Sequence, residues 1–348
     1  MSVRKPALAA VLLLIAVTAF AQHPRIVHGT VTSVAAGPDL GAQIRGSRTK
    51  YIGYAVPEVE GERVMCCFEN FGEFRSGGKC SLDHDGSSFT TDDDHEQLHP
   101  ASDVFAIFYR VENGEIARAH SYSMECVLDA DGATVTWIDG VDPRKSVALL
   151  ASLIGAPGHH SDYAMSALAL HADPSATTEL ERMLRSTDAS DETRGHAAFW
   201  LGQTRGRRGF EDVLAVARSQ SSSQRLREKA VFALSQSQEP EAIDELIKMA
   251  KNDPTAHVRG QALFWLSQKA GKKAAGAVRE AVDNDPDQGV REKAVFAISQ
   301  LPNDQSVPML AELMKTHRDP RVRKKAAFWL GQKNDPRALA AIEDLLRK

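Results

Sequence analysis

Several things are scarce in this sequence of 348 residues, and each scarcity excludes something. Apolar runs are short: the longest, Ala7 to Val17, falls below the roughly 20 residues a spanning helix needs, so no membrane span is expected. Surplus positive charge is missing, since 42 Lys and Arg face 46 Asp and Glu for a net -4. Residues 145–348 carry 30 basic against 26 acidic groups with the signs interspersed, which is no nucleic-acid footprint. No G-x-S-x-G, P-loop or H-E-x-x-H occurs, which excludes the enzyme classes those motifs mark. Cysteine is confined to Cys66, Cys67, Cys80 and Cys126, so nothing after residue 126 can hold a disulfide.

What is present is a ten-residue phrase written five times. It reads RGHAAFWLGQ from Arg194, REKAVFALSQ from Arg227, RGQALFWLSQ from Arg259, REKAVFAISQ from Arg291 and RKKAAFWLGQ from Arg323. Its Phe recurs at steps of 33 and then 32 residues, and a period of that length marks a solenoid of helical hairpins. Apolar residues at helical spacing follow each phrase, as in Ala242, Ile243, Leu246, Ile247 and Met249. Asp253-Pro254, Asp285-Pro286 and Asp319-Pro320 suit the turns between repeats, where Asp caps and Pro opens the next helix.

The N-terminus has the layout of a secretory signal. Arg4 and Lys5 precede the apolar run, and Ala19-Phe20-Ala21 matches an A-x-A cleavage site that leaves Gln22 first. Residues 1–21 are therefore expected to be removed and the mature protein to be periplasmic or secreted. In an oxidising compartment four cysteines imply two disulfides. Neighbouring Cys66 and Cys67 are badly placed to pair with each other, which divides them between Cys80 and Cys126. A zinc site is disfavoured because the spacing lacks C-x-x-C.

Residues 22–142 form an acidic, β-rich region with 10 basic against 20 acidic groups between residues 22 and 144. Strands are expected at Arg25 to Val34, Tyr51 to Val56, Glu62 to Phe68, Val104 to Val111, Ile116 to Ser123, Glu125 to Leu128 and Ala133 to Ile138. Asn113-Gly114 and Asp131-Gly132 predict tight hairpins, because these dipeptides tolerate positive φ. Residues 82–102 read as a polar loop. Within it Asp83, Asp85 and Asp92 have part of a calcium-loop spacing, but Ser81 stands where the first Asp is expected, so a solvated acidic loop is favoured and no metal site is assigned.

From residue 143 the period changes to 3.6. Residues 146–155 are expected as a half-repeat cap opened by Ser146, with repeats from about residue 161 and a degenerate first pair in which Leu168 takes the Phe position. The expected fold class is α+β in two domains, a small disulfide-bonded β domain and an all-α solenoid of about six helical hairpins.

On a wheel of about 100° per residue, Val258, Ala262, Trp265 and Leu266 share the buried face, whereas Phe264 and Gln268 lie on the other side. The structural alternative is that each Phe packs sideways on the next repeat. The functional one is a concave binding row of Phe199, Phe232, Phe264, Phe296 and Phe328, paralleled by Gln203, Gln236, Gln268, Gln300 and Gln332. The alternation of Trp200, Ala233, Trp265, Ala297 and Trp329 is expected to interdigitate large and small residues in the core. The Arg residues opening each phrase are expected to bond carbonyls or turn Asp residues between repeats.

Asp319-Pro320-Arg321-Val322-Arg323, with Ala326, Leu330 and Gly331, resembles the HEAT-like repeats of phycobilisome bilin lyases over about residues 146–348. That resemblance implies a fold, and the Phe and Gln rows are similar by analogy to the ladders with which armadillo repeats hold extended peptides. Deoxyhypusine hydroxylase, also similar in fold, implies irons on His-Glu pairs. The one such pair here, His95-Glu96, lies in the acidic loop, and His196, His257 and His317 share no repeat position. The expected function is an exported protein- or peptide-binding scaffold without cofactor. The alternative is an enzyme, hydrolytic or metal-dependent, with its site in the β domain or the interdomain cleft and served by His84 or His95.

Overall fold

The computed structural model describes residues 23–61, 66, 79–83, 87–88, 103–155, 161–269 and 272–347. In chain order the first part contains β1 (Arg25–Val27), β2 (Thr30–Ala35), α1 (Leu40–Arg45), β3 (Tyr51–Pro57), β4 (Lys79–Ser81) and β5 (Ser87–Ser88). It continues with β6 (Val104–Glu112), β7 (Glu115–Ser123), β8 (Val127–Asp129) and β9 (Thr134–Asp139). Most of the strand expected at Glu62 to Phe68 lies outside the described residues.

These strands make two sheets, β1-β8-β4-β5 and β2-β9-β3-β6-β7. Asn113 and Gly114 both have positive φ and close the β6–β7 hairpin, as that dipeptide predicts. Asp131 and Gly132 also have positive φ, but β8 and β9 are not hairpin partners. They belong to different sheets, and the expected single strand from Arg25 to Val34 is likewise broken at His28 (φ 47°) into β1 and β2. The two chains change sheet side by side, with β1 parallel to β8 and β2 parallel to β9. Gly29 is what lets these corners touch, since a Cβ there would stand 2.6 Å from Ala130 Cβ and 2.7 Å from the Ala133 carbonyl oxygen.

The interior strand β6, between β3 and β7, is buried on both faces, which is why it reads as a continuous apolar run. Ala106 and Phe108 face the smaller sheet, together with Trp137, Tyr122, Leu128 and Cys126. Cys66 is bonded to Cys126, closing a loop of 60 residues, and Cys80 is disulfide-bonded as well. Cys67 lies outside the described residues.

Phe105, Ile107 and Tyr109 face the other way, into a core that runs without a break into the helices. Those helices are α2 (Pro143–Leu153) and then six hairpins: α3 (Ser161–Leu170) with α4 (Pro174–Arg185), α5 (Asp191–Thr204) with α6 (Gly206–Arg218), and α7 (Gln224–Gln236) with α8 (Ala242–Asn252). The rest are α9 (Ala256–Lys269) with α10 (Lys272–Asn284), α11 (Gln288–Gln300) with α12 (Asn303–Thr316), and α13 (Pro320–Gly331) with α14 (Pro336–Leu346). The half-repeat cap is longer than expected. Asp142 rather than Ser146 caps α2, and Ser146 is buried with its hydroxyl 2.9 Å from that of Tyr54. Tyr54 also meets the Tyr109 hydroxyl at 2.8 Å, and its burial pushes its phenol up to about 12. Sheet and array are joined by backbone too, since Val59 donates to the Leu170 carbonyl (2.8 Å) and Ala172 to that of Pro57 (2.9 Å).

Candidate binding surface on the repeat array

Four of the five repeated helices start from a polar side-chain cap. Ser190, Ser223, Asp287 and Asp319 accept backbone N–H bonds at the starts of α5, α7, α11 and α13, satisfying donors the helix itself cannot. One turn in, the Arg of the phrase reaches between repeats. Arg227 pairs with Asp253, Arg259 grips Asp285 with Nε and Nη2 at 2.7 and 2.8 Å, and Arg291 meets Asp319 at 3.4 Å. Arg residues at this position also bond backbone carbonyls at the end of the preceding helix, as Arg194 does with Leu184 (3.0 Å) and Arg323 with His317 (2.8 Å). The inter-repeat Arg ladder expected from the sequence is therefore present, and its carboxylates are the turn Asp residues.

Next to Arg, the phrase alternates Gly with Glu-Lys. The structure explains the alternation. Lys229 lies over Gly195 of the preceding repeat and reaches Glu192 at 2.7 Å; Lys293 lies over Gly260. A Cβ on Gly195 would stand 2.2 Å from Lys229 Cδ, so the small residue of one repeat makes room for the long stem of the next.

The aromatic positions form one continuous ladder. Phe199 stacks on Phe232 (5.6 Å, 7°) and Phe264 on Phe296 (6.1 Å, 6°). Phe232 meets Trp265 at 4.6 Å and Phe296 meets Trp329 at 4.9 Å, bridging the stacked pairs. Within their own helices Phe199–Trp200, Phe264–Trp265 and Phe328–Trp329 make edge contacts. Eight rings thus run unbroken from Trp200 to Phe328, with a unit of two repeats. Four of the Phe residues are half-buried and Phe328 is exposed.

Two corrections follow. The Trp residues do not sit in the buried face: Trp200, Trp265 and Trp329 are all half-buried, while Ala233 and Ala297 are fully buried. The indoles of Trp265 and Trp329 pack at the edge of the core and lean onto Phe232 and Phe296 of the preceding repeat. Large and small residues still alternate, but along the ladder rather than inside the hairpin core. Secondly, the Gln residues are unequal. Gln203 and Gln236 are half-buried, whereas Gln268, Gln300 and Gln332 are exposed; Gln236 and Gln300 donate to the Ser beside them at 2.9 and 3.1 Å.

The other expected sites fare differently. Among the described residues no three His, Cys, Asp or Glu side chains converge as a metal-binding group. Asp83 meets Lys50 at 2.8 Å and Arg110 at 3.3 Å, and its hydrogen bond to Lys50 holds its carboxyl down to about 2. Asp85, Asp92, His84 and His95 lie outside the described residues. No helix among the described residues is long and apolar enough to cross a membrane.

A family profile of HEAT repeats matches residues 177–267 and 276–348. Over those residues the array is built of HEAT repeats. No curated protein matches the chain. Similar solved structures include human deoxyhypusine hydroxylase in complex with glycerol, at 20% identity over 58% of this chain and 90% of that one, with a TM-score of 0.30. The complex of CpcE and CpcF of phycocyanin lyase from Nostoc gives 21% identity, 49% and 70% coverage and a TM-score of 0.33. YibA of E. coli gives 23%, 56%, 71% and 0.35. Overlays this loose carry no functional weight for this HEAT-repeat chain.

Proposed function

We propose that this HEAT array is a protein-binding scaffold that holds an extended peptide segment of its partner along the aromatic ladder, in an exported protein. The eight-ring ladder is the observation that carries the reading. It offers apolar faces that are half open, and a Gln amide one helical turn beyond each Phe can donate to and accept from a peptide backbone. The first helices of successive repeats also approach one another more closely than the second helices do, which bends the array toward the ladder side. Helices packed roughly 9 Å apart would meet every third residue of a chain rising about 3.3 Å per residue.

Export is supported by the signal-like N-terminus and by the disulfide bonding of Cys66, Cys80 and Cys126. Intact mass of the native protein should correspond to a chain beginning at Gln22; a retained Met1 rules out cleavage there. For the scaffold, affinity capture from the envelope fraction of the source organism compares the wild type with the Phe264→Ala, Phe296→Ala double variant. Partners identified by mass spectrometry should be lost from the variant while its circular dichroism is kept. Equal recovery on both baits sinks the ladder as the binding surface.

A further inference from the structure

Two periods run along the array. The ion pairs that hold it together recur at every repeat, Arg227 with Asp253, Arg259 with Asp285 and Arg291 with Asp319. The rings recur at every second one. Phe199 and Phe232 are parallel to 7° and Phe264 and Phe296 to 6°, whereas Phe232 and Trp265 are inclined at 42° and Phe296 and Trp329 at 46°. The two inclined contacts therefore stand two repeats apart, a spacing that joining one repeat to the next does not require.

Each kind of contact leaves a different surface. A parallel pair covers its facing rings and leaves their edges, while an inclined pair diverges and leaves ring face on which an aliphatic or aromatic side chain packs. Phe232, Trp265, Phe296 and Trp329 are all half-buried, so part of each ring is open. Phe232 and Phe296 are also the two followed by alanine. Where the other three helices set Trp200, Trp265 and Trp329 against their own Phe, Ala233 and Ala297 are buried and put no indole beside the ring. The Trp/Ala alternation thus makes two like apolar notches, at Phe232–Trp265 and at Phe296–Trp329.

Helices about 9 Å apart put those notches roughly 18 Å apart, which an extended chain rising about 3.3 Å per residue spans in about five to six residues. Side chains of an extended chain alternate between its two sides, so only an even separation presents both to the array. Six residues meets both conditions; four falls about 5 Å short, and five or seven turns the second side chain away. Resting on the reading of the ladder as a peptide-binding surface, we infer that its ligand is an extended segment carrying two large apolar side chains six residues apart, one seated at each notch. A single repeat, at about three residues, reverses the side, so a ligand of this kind matches the two-repeat unit of the rings and not the one-repeat unit of the ion pairs.

Fluorescence anisotropy on the mature full chain tests this with labelled peptides of Ser and Gln that hold two phenylalanines at separations from four to eight residues, about 13 to 26 Å extended. The separation of six should bind at least about tenfold more tightly than five or seven, the gain from burying a second large side chain. In Trp265→Ala, which removes one notch, that preference should vanish while the helical circular dichroism is kept; if the variant unfolds, the wild-type series decides by itself. Equal affinity at every separation, or a best separation other than six, overturns the inference and leaves the ladder a peptide surface without this spacing rule. A preference for six that survives in folded Trp265→Ala also overturns it, because the notches are then not its source. Absence of binding by every peptide overturns the inference together with the reading it rests on.

Discussion

Asp285 caps one turn and anchors two repeats with a single carboxylate. Its oxygens take Nε and Nη2 of Arg259, and the Asp287 backbone N–H donates to it at 2.8 Å. Both partners of the pair are nearly enclosed, with side-chain exposures of 9% for Arg259 and 4% for Asp285. The bond to Asp285 raises the already high pKa of Arg259, and even without that bond a guanidinium stays protonated at neutral pH. Asp285→Ala strands that charge and should lower stability by about 3 kcal/mol, read from urea unfolding. Arg259→Lys should recover little of it, since an ammonium cannot make the two-pronged contact. A loss under about 1 kcal/mol for Asp285→Ala would mean water reaches the site.

Between elements, glycine marks two different kinds of close approach, and one experiment separates them. Helices α5 and α6 are joined by Arg205 alone, whose guanidinium ties the turn back to the Ala169 and His171 carbonyls and to Thr177. To make that reversal Gly206 takes φ +48° and Gly209 slides under the end of α5, where a Cβ would stand 1.9 Å from the Leu201 carbonyl oxygen. Backbone cannot yield there, so Gly209→Ala should cost about 3 kcal/mol by forcing the helices apart. At Gly260 the obstacle is Lys293 Cδ at 2.7 Å, the flexible part of a side chain. Gly260→Ala gains roughly 1 kcal/mol of helix propensity against the displaced lysine and should lie within about 1 kcal/mol of wild type. Thermal melts of the two variants that coincide would refute this distinction.

At the scale of the whole molecule the join between sheet and array is the point acid should attack. His120 is stacked between Tyr122 (4.5 Å) and Tyr163 (4.9 Å), and His171 is fully buried against Phe105 beside the paired backbone of Glu58. Burial pushes both imidazoles down to about 4. An unfolded histidine titrates near 6.5, so between those values the unfolded chain binds more protons than the folded one. Stability is then unaffected by these groups above about pH 6.5 and falls as the pH drops toward about 4, at roughly 1.4 kcal/mol per pH unit for each. Urea midpoints taken between pH 6.5 and 4.5 (~ the window these pKa values define) should decline, and His120→Phe should flatten the decline by about half. Asp83, held down to about 2, releases its own contribution only at lower pH, as pH falls through that value. A slope unchanged by His120→Phe would place the acid sensitivity elsewhere.

The sequence by itself determined the array: its period, its six helical hairpins and the Arg ladder, whereas of the Asp-Pro turns only Asp319-Pro320 caps and opens a helix as expected, and Asp287 rather than Asp285 caps α11. Period, hairpins and ladder are each set within one repeat or between neighbours about 32 residues apart, and five copies of the phrase repeat the same local chemistry until it stands out. Even the Gly-to-Lys alternation was legible as a two-repeat unit, although what the lysine does became visible only once Lys229 was seen lying across Gly195. Only the tertiary structure decided the rest. Asp131-Gly132 has the local signature of a hairpin, yet β8 and β9 part into different sheets because their partners, β1 and β2, lie about a hundred residues earlier. Positive φ sets the bend of a chain and leaves open which strand receives it. The wheel likewise set Phe and Trp on opposite sides of each helix, but a wheel holds one helix, and the ladder exists because every repeated helix has a neighbour on which its indole can lean.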